Sequence, residues 1–152
     1  MMKKETTMVS SVFKLFATSK ELEKKGVWLD YGDVKFLVAR AGGANHGYAE
    51  LLKAKIRPIR HQVERDLLSA EENDRINAEL FAEAIIKDVK VKVDDNWQQG
   101  VPSADGPVLP YTKANVVKLL LELPDMFRDI RQCAADANKY LIDQEAADEK
   151  NS

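Results

Sequence analysis

Catalysis or metal binding would require reactive side chains to converge, and this chain offers few of them. His46 and His61 are its only histidines. Their spacing does not form a one-turn metal pair, and no neighbouring cysteine completes a zinc set. Cys133, the single cysteine, falls on an apolar stripe, where a thiol behaves as a small core side chain. Asp94-Asp95 and the carboxylates between Asp143 and Glu149 lack the spacing of a calcium loop. Gly42-Gly43 sits in no GxGxxG or Gly-Lys-Ser frame, so it is no phosphate signature. No nucleophile–base–orienter set emerges. The expectation is a protein without enzymatic activity, metal or cofactor.

One charged cluster could address phosphate: Lys53, Lys55, Arg57, Arg60, His61 and Arg65 on one predicted helical stretch. Glu64 and Asp66 interrupt it, no aromatic stacking platform accompanies it, and the whole chain carries a net charge of -2. The cluster is expected to be a solvated or partner-facing surface, with no nucleic acid bound.

The elements that would position these groups follow from periodicity. Ser19 with Glu21–Glu23 starts a short helix that Gly26 ends. Val27 to Ala39 is rich in aromatic and β-branched residues around Asp30-Tyr31-Gly32-Asp33, which predicts a β-hairpin. From Ala44 onward the pattern is helical, interrupted at Pro58. A capping box at Ser69–Glu72 opens a second long helix along Ile76, Leu80, Phe81, Ala84 and Ile85. Val89, Val91 and Val93 alternate with lysines, enough for a short strand at that helix's end. Residues 98–110 read as an irregular loop. Thr112 caps a helix to Leu123, and Pro124 opens a last one running to about Ile142.

The predicted class is mainly α within α+β: an N-terminal β-hairpin followed by a bundle of about four to five helices. The expected organisation is a mobile arm (1–18), one globular domain (19–142) and an acidic flexible tail (143–152). At 152 residues, 45% hydrophobic and 32% charged, the chain can bury a core without disulfides or metals. A single cysteine suits a reducing compartment, and no stretch approaches the roughly 20 apolar residues of a membrane span. A cytoplasmic location with no membrane partner is expected.

The last two helices carry the most suggestive pattern. Lys113–Leu123 leaves only Asn115, Lys118 and Glu122 as a polar stripe, and the final helix has two adjacent apolar seams. One small core rarely needs so broad an apolar surface. The candidate partner-binding residues are therefore Val116, Leu120, Leu123, Met126, Phe127, Ile130 and Tyr140. The competing interpretation places both helices at the centre of the fold.

The order of segments resembles a known family. Glu21-Leu22-Glu23-Lys24-Lys25-Gly26-Val27-Trp28-Leu29-Asp30-Tyr31 leads into Val34-Lys35-Phe36-Leu37-Val38-Ala39-Arg40-Ala41-Gly42. Leu51, Leu52 and Ile59-Arg60 follow, then Ala82-Glu83-Ala84-Ile85-Ile86-Lys87-Asp88, a loop to Leu109-Pro110-Tyr111-Thr112, Asn115-Val116-Val117-Lys118-Leu119-Leu120 and Leu123-Pro124-Asp125-Met126-Phe127. This order, over residues 20–142, is similar to the tail assembly chaperones of long-tailed bacteriophages and prophages. The resemblance implies a non-enzymatic chaperone in the host bacterial cytoplasm, absent from the mature virion. Its partners would be the tape measure protein and the tail tube protein, with self-association a further option. Alternatives are a structural tail or connector component retained in the virion, or a small regulatory or nucleic-acid-binding adaptor.

Overall fold

Alternating residues at two distant places in the chain build a single sheet. A computed structural model describes residues 10–142. Strands β1 (Val27–Asp30), β2 (Val34–Val38), β3 (Ile86–Val93) and β4 (Asn96–Gln99) pair antiparallel in the order β1-β2-β3-β4. In the first turn, Asp30 Oδ1 accepts from the Gly32 N–H at 2.7 Å, and Gly32 takes a φ of 103° that suits glycine. The second turn puts Asp94 and Asp95 at φ 50° and 67°. Two successive positive values are what a two-residue hairpin turn needs to match strand twist, and aspartate tolerates that region better than most residues.

The helices flank this sheet in sequence: α1 (Ser11–Phe16) and α2 (Lys20–Lys25) before it, α3 (His46–Ile56), α4 (Arg60–Glu64) and α5 (Ala70–Ala84) between β2 and β3, and α6 (Lys113–Glu122) and α7 (Pro124–Ala135) after it. The expected hairpin followed by a helical bundle is therefore incorrect. The strands form a four-stranded sheet in the middle of the chain, with helices before, within and after it. β3 is no appendage of α5; it begins at Ile86 and pairs along β2, with a register irregularity at Leu37/Val38. β4 takes up Gln98 and Gln99, the start of the expected loop, because their backbone groups complete the ladder opposite Val91 and Lys90. The rest of that loop is clasped by paired hydrogen bonds between Val101 and Leu109, at 2.9 and 2.8 Å, and Val101 is fully buried.

Local helix signals act as their chemistry requires. Ser19, Ser69 and Thr112 each accept an N–H of the following first turn, and Pro58 sits in a 3₁₀ turn that separates α3 from α4. The last helix is shorter than its pattern suggested. α7 stops at Ala135, and a 3₁₀ turn, Ala137–Tyr140, follows after Asp136 caps it through Oδ1 to the Asn138 N–H at 2.9 Å. Part of the expected N-terminal arm forms α1; residues 1–9 of that arm and the acidic tail (143–152) lie outside the described residues.

The core fills the space between the inner face of the sheet and α5, α6 and α7. Phe36, Val38 and Val89 from the strands meet Phe81 and Ile85 of α5, Val116, Leu119 and Leu120 of α6, and Phe127, Ile130 and Ala134 of α7. Phe81 and Phe127 pack edge to face at 5.4 Å between centroids, a favoured aromatic geometry.

Candidate functional site

The seven residues expected to face a partner do not form one surface. Val116, Leu120, Phe127, Ile130 and Tyr140 are buried, Ile130, Leu120 and Tyr140 completely. Met126 is half-buried against the core, and only Leu123 stands out, at 47% exposure. Tyr140 is held by its hydroxyl, which donates to the Val38 carbonyl at 3.0 Å. The broad apolar stripe on α6 is split by the fold: Val116, Leu119 and Leu120 go inward, while Val117 is half-buried and Leu121 is 40% exposed.

That split creates a groove. Between α5 and α6, a shallow cavity of about 420 Å³ is lined by Val117, Leu121 and Ala114 along its floor and by Arg75, Glu79, Lys118 and Glu122. A second, of about 410 Å³, lies on the α4 side of α5 and is lined by Ile59, Leu68 and Ile76 with polar Gln62, Ser69, Glu71 and Glu72. Arg75 borders both. Leu67 and Val63, exposed at 66% and 40%, extend the apolar surface around α4. Apolar floors with charged rims are how helical segments are commonly received. The groove lies on a helix singled out from sequence, but not on the rows singled out there, which are buried; the helical positions Val117 and Leu121, one turn apart, carried the outward signal.

Near the C-terminal end of α5, Glu83 is drawn below the ordinary carboxylate range: the Lys113 ammonium bonds it, burial opposes ionisation, and Lys55 adds its charge at 3.4 Å. These contacts tie α3, α5 and α6 together. The reactive groups named from sequence are scattered. His46 and His61 are exposed on α3 and α4. Cys133 is buried, and burial pushes its thiol pKa up, away from a reactive thiolate. Tyr31 donates to Asp129 Oδ2 at 2.6 Å, and burial together with that acceptor raises its pKa. Among the described residues no group of three or more His, Cys, Asp and Glu side chains is placed to hold a metal ion, and no helix is long and apolar enough to cross a membrane.

A second feature lies on the outer face of the sheet. The register puts Trp28, Lys35, Lys90, Lys92, Trp97 and Gln99 on that face, with Leu37 and two aspartates, Asp30 and Asp88. Lys35 Nζ stands 4.7 Å from the Trp28 ring centroid and 4.5 Å from that of Trp97. Lys90 approaches Trp28 at 5.2 Å and Lys92 approaches Trp97 at 5.5 Å. These are cation–π distances. The cluster was hidden in the sequence because its members lie on four strands, two of which show no sign there of pairing with the others. The alternation of Lys90 and Lys92 was the available signal.

Comparison with known proteins adds one decisive match: the family model of the YdaY prophage protein fits residues 43–151. The chain belongs to that family. No curated protein and no solved structure matches it. The family's span takes in α3 to α7, and so both grooves, as well as β3 and β4; β1 and β2 precede it. Membership makes this a prophage protein, the wider class that the resemblance implied. A role in tail assembly is narrower than the family and does not follow from it.

Proposed function

We propose that this prophage protein is a tail assembly chaperone that holds apolar helical segments of the tape measure protein in the grooves flanking α5, keeps that protein soluble in the host cytoplasm, and gives it up to tail tube subunits. The observation that carries this reading is the pair Val117 and Leu121 lining a cavity among charged side chains, with a second cavity, lined by Leu68 and Ile76, that shares Arg75. Covering the remaining exposed part of each such aliphatic side chain contributes about 1 kcal/mol. A handful of these contacts gives moderate affinity, which suits a complex that must later be dismantled.

Co-expression with the tape measure protein of the same prophage tests it. The wild-type chain should co-purify with the tape measure protein. Leu121→Asp with Leu123→Asp should abolish capture while leaving the melting temperature within a few degrees, because both side chains are exposed. Leu120→Asp, by contrast, should unfold the chain. Failure of the wild-type chain to retain the tape measure protein, or stoichiometric presence of this chain in purified virions, would sink the reading.

A further inference from the structure

We propose that the outer face of the sheet binds single-stranded nucleic acid, a role separate from the grooves around α5. Three lysines and two indoles share that face, the lysines on the two central strands and the indoles on the two edge strands: Trp28 on β1, Lys35 on β2, Lys90 and Lys92 on β3, Trp97 on β4. Both rings crowd against the Lys35 ammonium, at 4.7 and 4.5 Å, although they come from opposite edges of the sheet. The two rings are thereby gathered at the centre of the sheet. They remain only half-buried, Lys90 is half-buried, and Lys92 and Gln99 are exposed, whereas Lys35 itself is buried at 7% exposure, so Lys90 and Lys92 are the cations that phosphates would meet.

This combination matches the chemistry of a single strand. Unpaired bases offer flat π-surfaces that stack on aromatic rings, and the phosphates that link them seek cations nearby. The face carries two carboxylates, Asp30 and Asp88, against its three lysines, and each is engaged beside its own strand. Asp30 accepts from the Gly32 N–H at 2.7 Å, and Asp88 accepts from Gln99 Nε2 at 2.8 Å and the Val89 N–H at 2.9 Å, so both carboxylates have local hydrogen-bond donors. A duplex hides its base faces and is entered by a helix or a two-stranded ribbon, whereas this is a sheet four strands wide. The cations are lysines, point charges without the bidentate fork of arginine, so binding should be tolerant of sequence. The basic stretch from Arg57 to Arg65 lies on other elements, the 3₁₀ turn and α4, and plays no part.

The test is titration of the full chain with labelled oligothymidylate at low ionic strength, read by anisotropy and by quenching of tryptophan fluorescence. Binding should be accompanied by quenching. The double variant Lys90→Gln/Lys92→Gln should weaken it about tenfold or more and lower the salt dependence by roughly 0.7 log units for each phosphate no longer neutralised. Trp97→Leu should weaken binding by about tenfold, with Trp97→Phe restoring part of it. The lysine variants keep the fold, and they leave capture of the tape measure protein intact, which separates this inference from the chaperone reading. No binding at low salt, binding without quenching, equal affinity for duplex of the same length, or unchanged affinity in the lysine double variant overturns it.

Discussion

Glu23 shows how a single side chain can join distant parts of the chain. It is 3% exposed, at the α2 end of the molecule. Its carboxylate bonds the Arg40 guanidinium and accepts from the Ala44 N–H at 3.0 Å, while its own backbone carbonyl accepts from the Arg40 N–H at 2.9 Å. Burial opposes its ionisation, but the bonds from Arg40, Ala44 and Thr18 outweigh burial and hold its pKa below the ordinary value. Glu23→Gln should therefore cost about 2 kcal/mol at neutral pH, since one member of a mostly buried ion pair is lost. The sign of the pH effect follows from the lowered pKa. Its contribution is complete above the ordinary carboxylate value and disappears as pH falls through the depressed one. Urea titrations of both proteins should show the gap close in acid; a constant gap would refute the ionised pair. None of this was legible in Glu21-Leu22-Glu23, because the residues that select Glu23 over Glu21 lie 17 and 21 positions downstream. Tyr140 had the same problem. Its place on an apolar seam was visible, but the Val38 carbonyl that accepts its hydroxyl is 102 positions away.

Among elements, the features set by neighbours in sequence were readable and those set by pairing across the chain were not. The Ser69–Glu72 capping box is present in full: Glu72 N–H donates to Ser69 Oγ at 3.1 Å, and Ser69 N–H donates to Glu72 Oε1 at 3.0 Å. Ser69→Ala should lower stability by about 1 kcal/mol by orphaning a first-turn amide of α5. Thermal melting checks this, and the loss should persist across moderate salt, since a hydrogen bond and not a screened ion pair is removed. The first hairpin was legible because its alternation and its turn lie within a dozen residues. β3 was legible only in its second half, where Val89, Val91 and Val93 alternate with lysines; Ile85 and Ile86 continue the helical stripe of α5, so the change of period is hidden where it occurs. β4 carries Gln98 and Gln99, which advertise no strand, and its turn uses Asp94-Asp95 where a glycine is more usual. The broad apolar surface of α6 was evident in sequence. Which of its rows turned inward depended on α7 and the sheet closing over it.

Seen whole, the molecule sets its helical layer against the inner face of the sheet, the grooves of α5 on the helical side and the Lys–Trp cluster on the sheet's other face. A segment close to the start of the described residues lies beside their end. Thr18 bridges Leu141, the Ser19 N–H donates to the Tyr140 carbonyl at 2.7 Å, and the Ile142 N–H donates to the Ala17 carbonyl at 3.2 Å. This clasp encloses nearly all of the folded chain in one loop. The entropy of closing a loop grows only logarithmically with its length, but it must be spent before the contacts it permits can reward it. The hairpins and helices close far shorter loops, so the clasp should form last in refolding and open first under native conditions. In hydrogen–deuterium exchange, the amides of Ser19 and Ile142 should therefore lose protection through a local opening. Those of the central β2–β3 ladder should exchange only through global unfolding, at rates that track the denaturant midpoint.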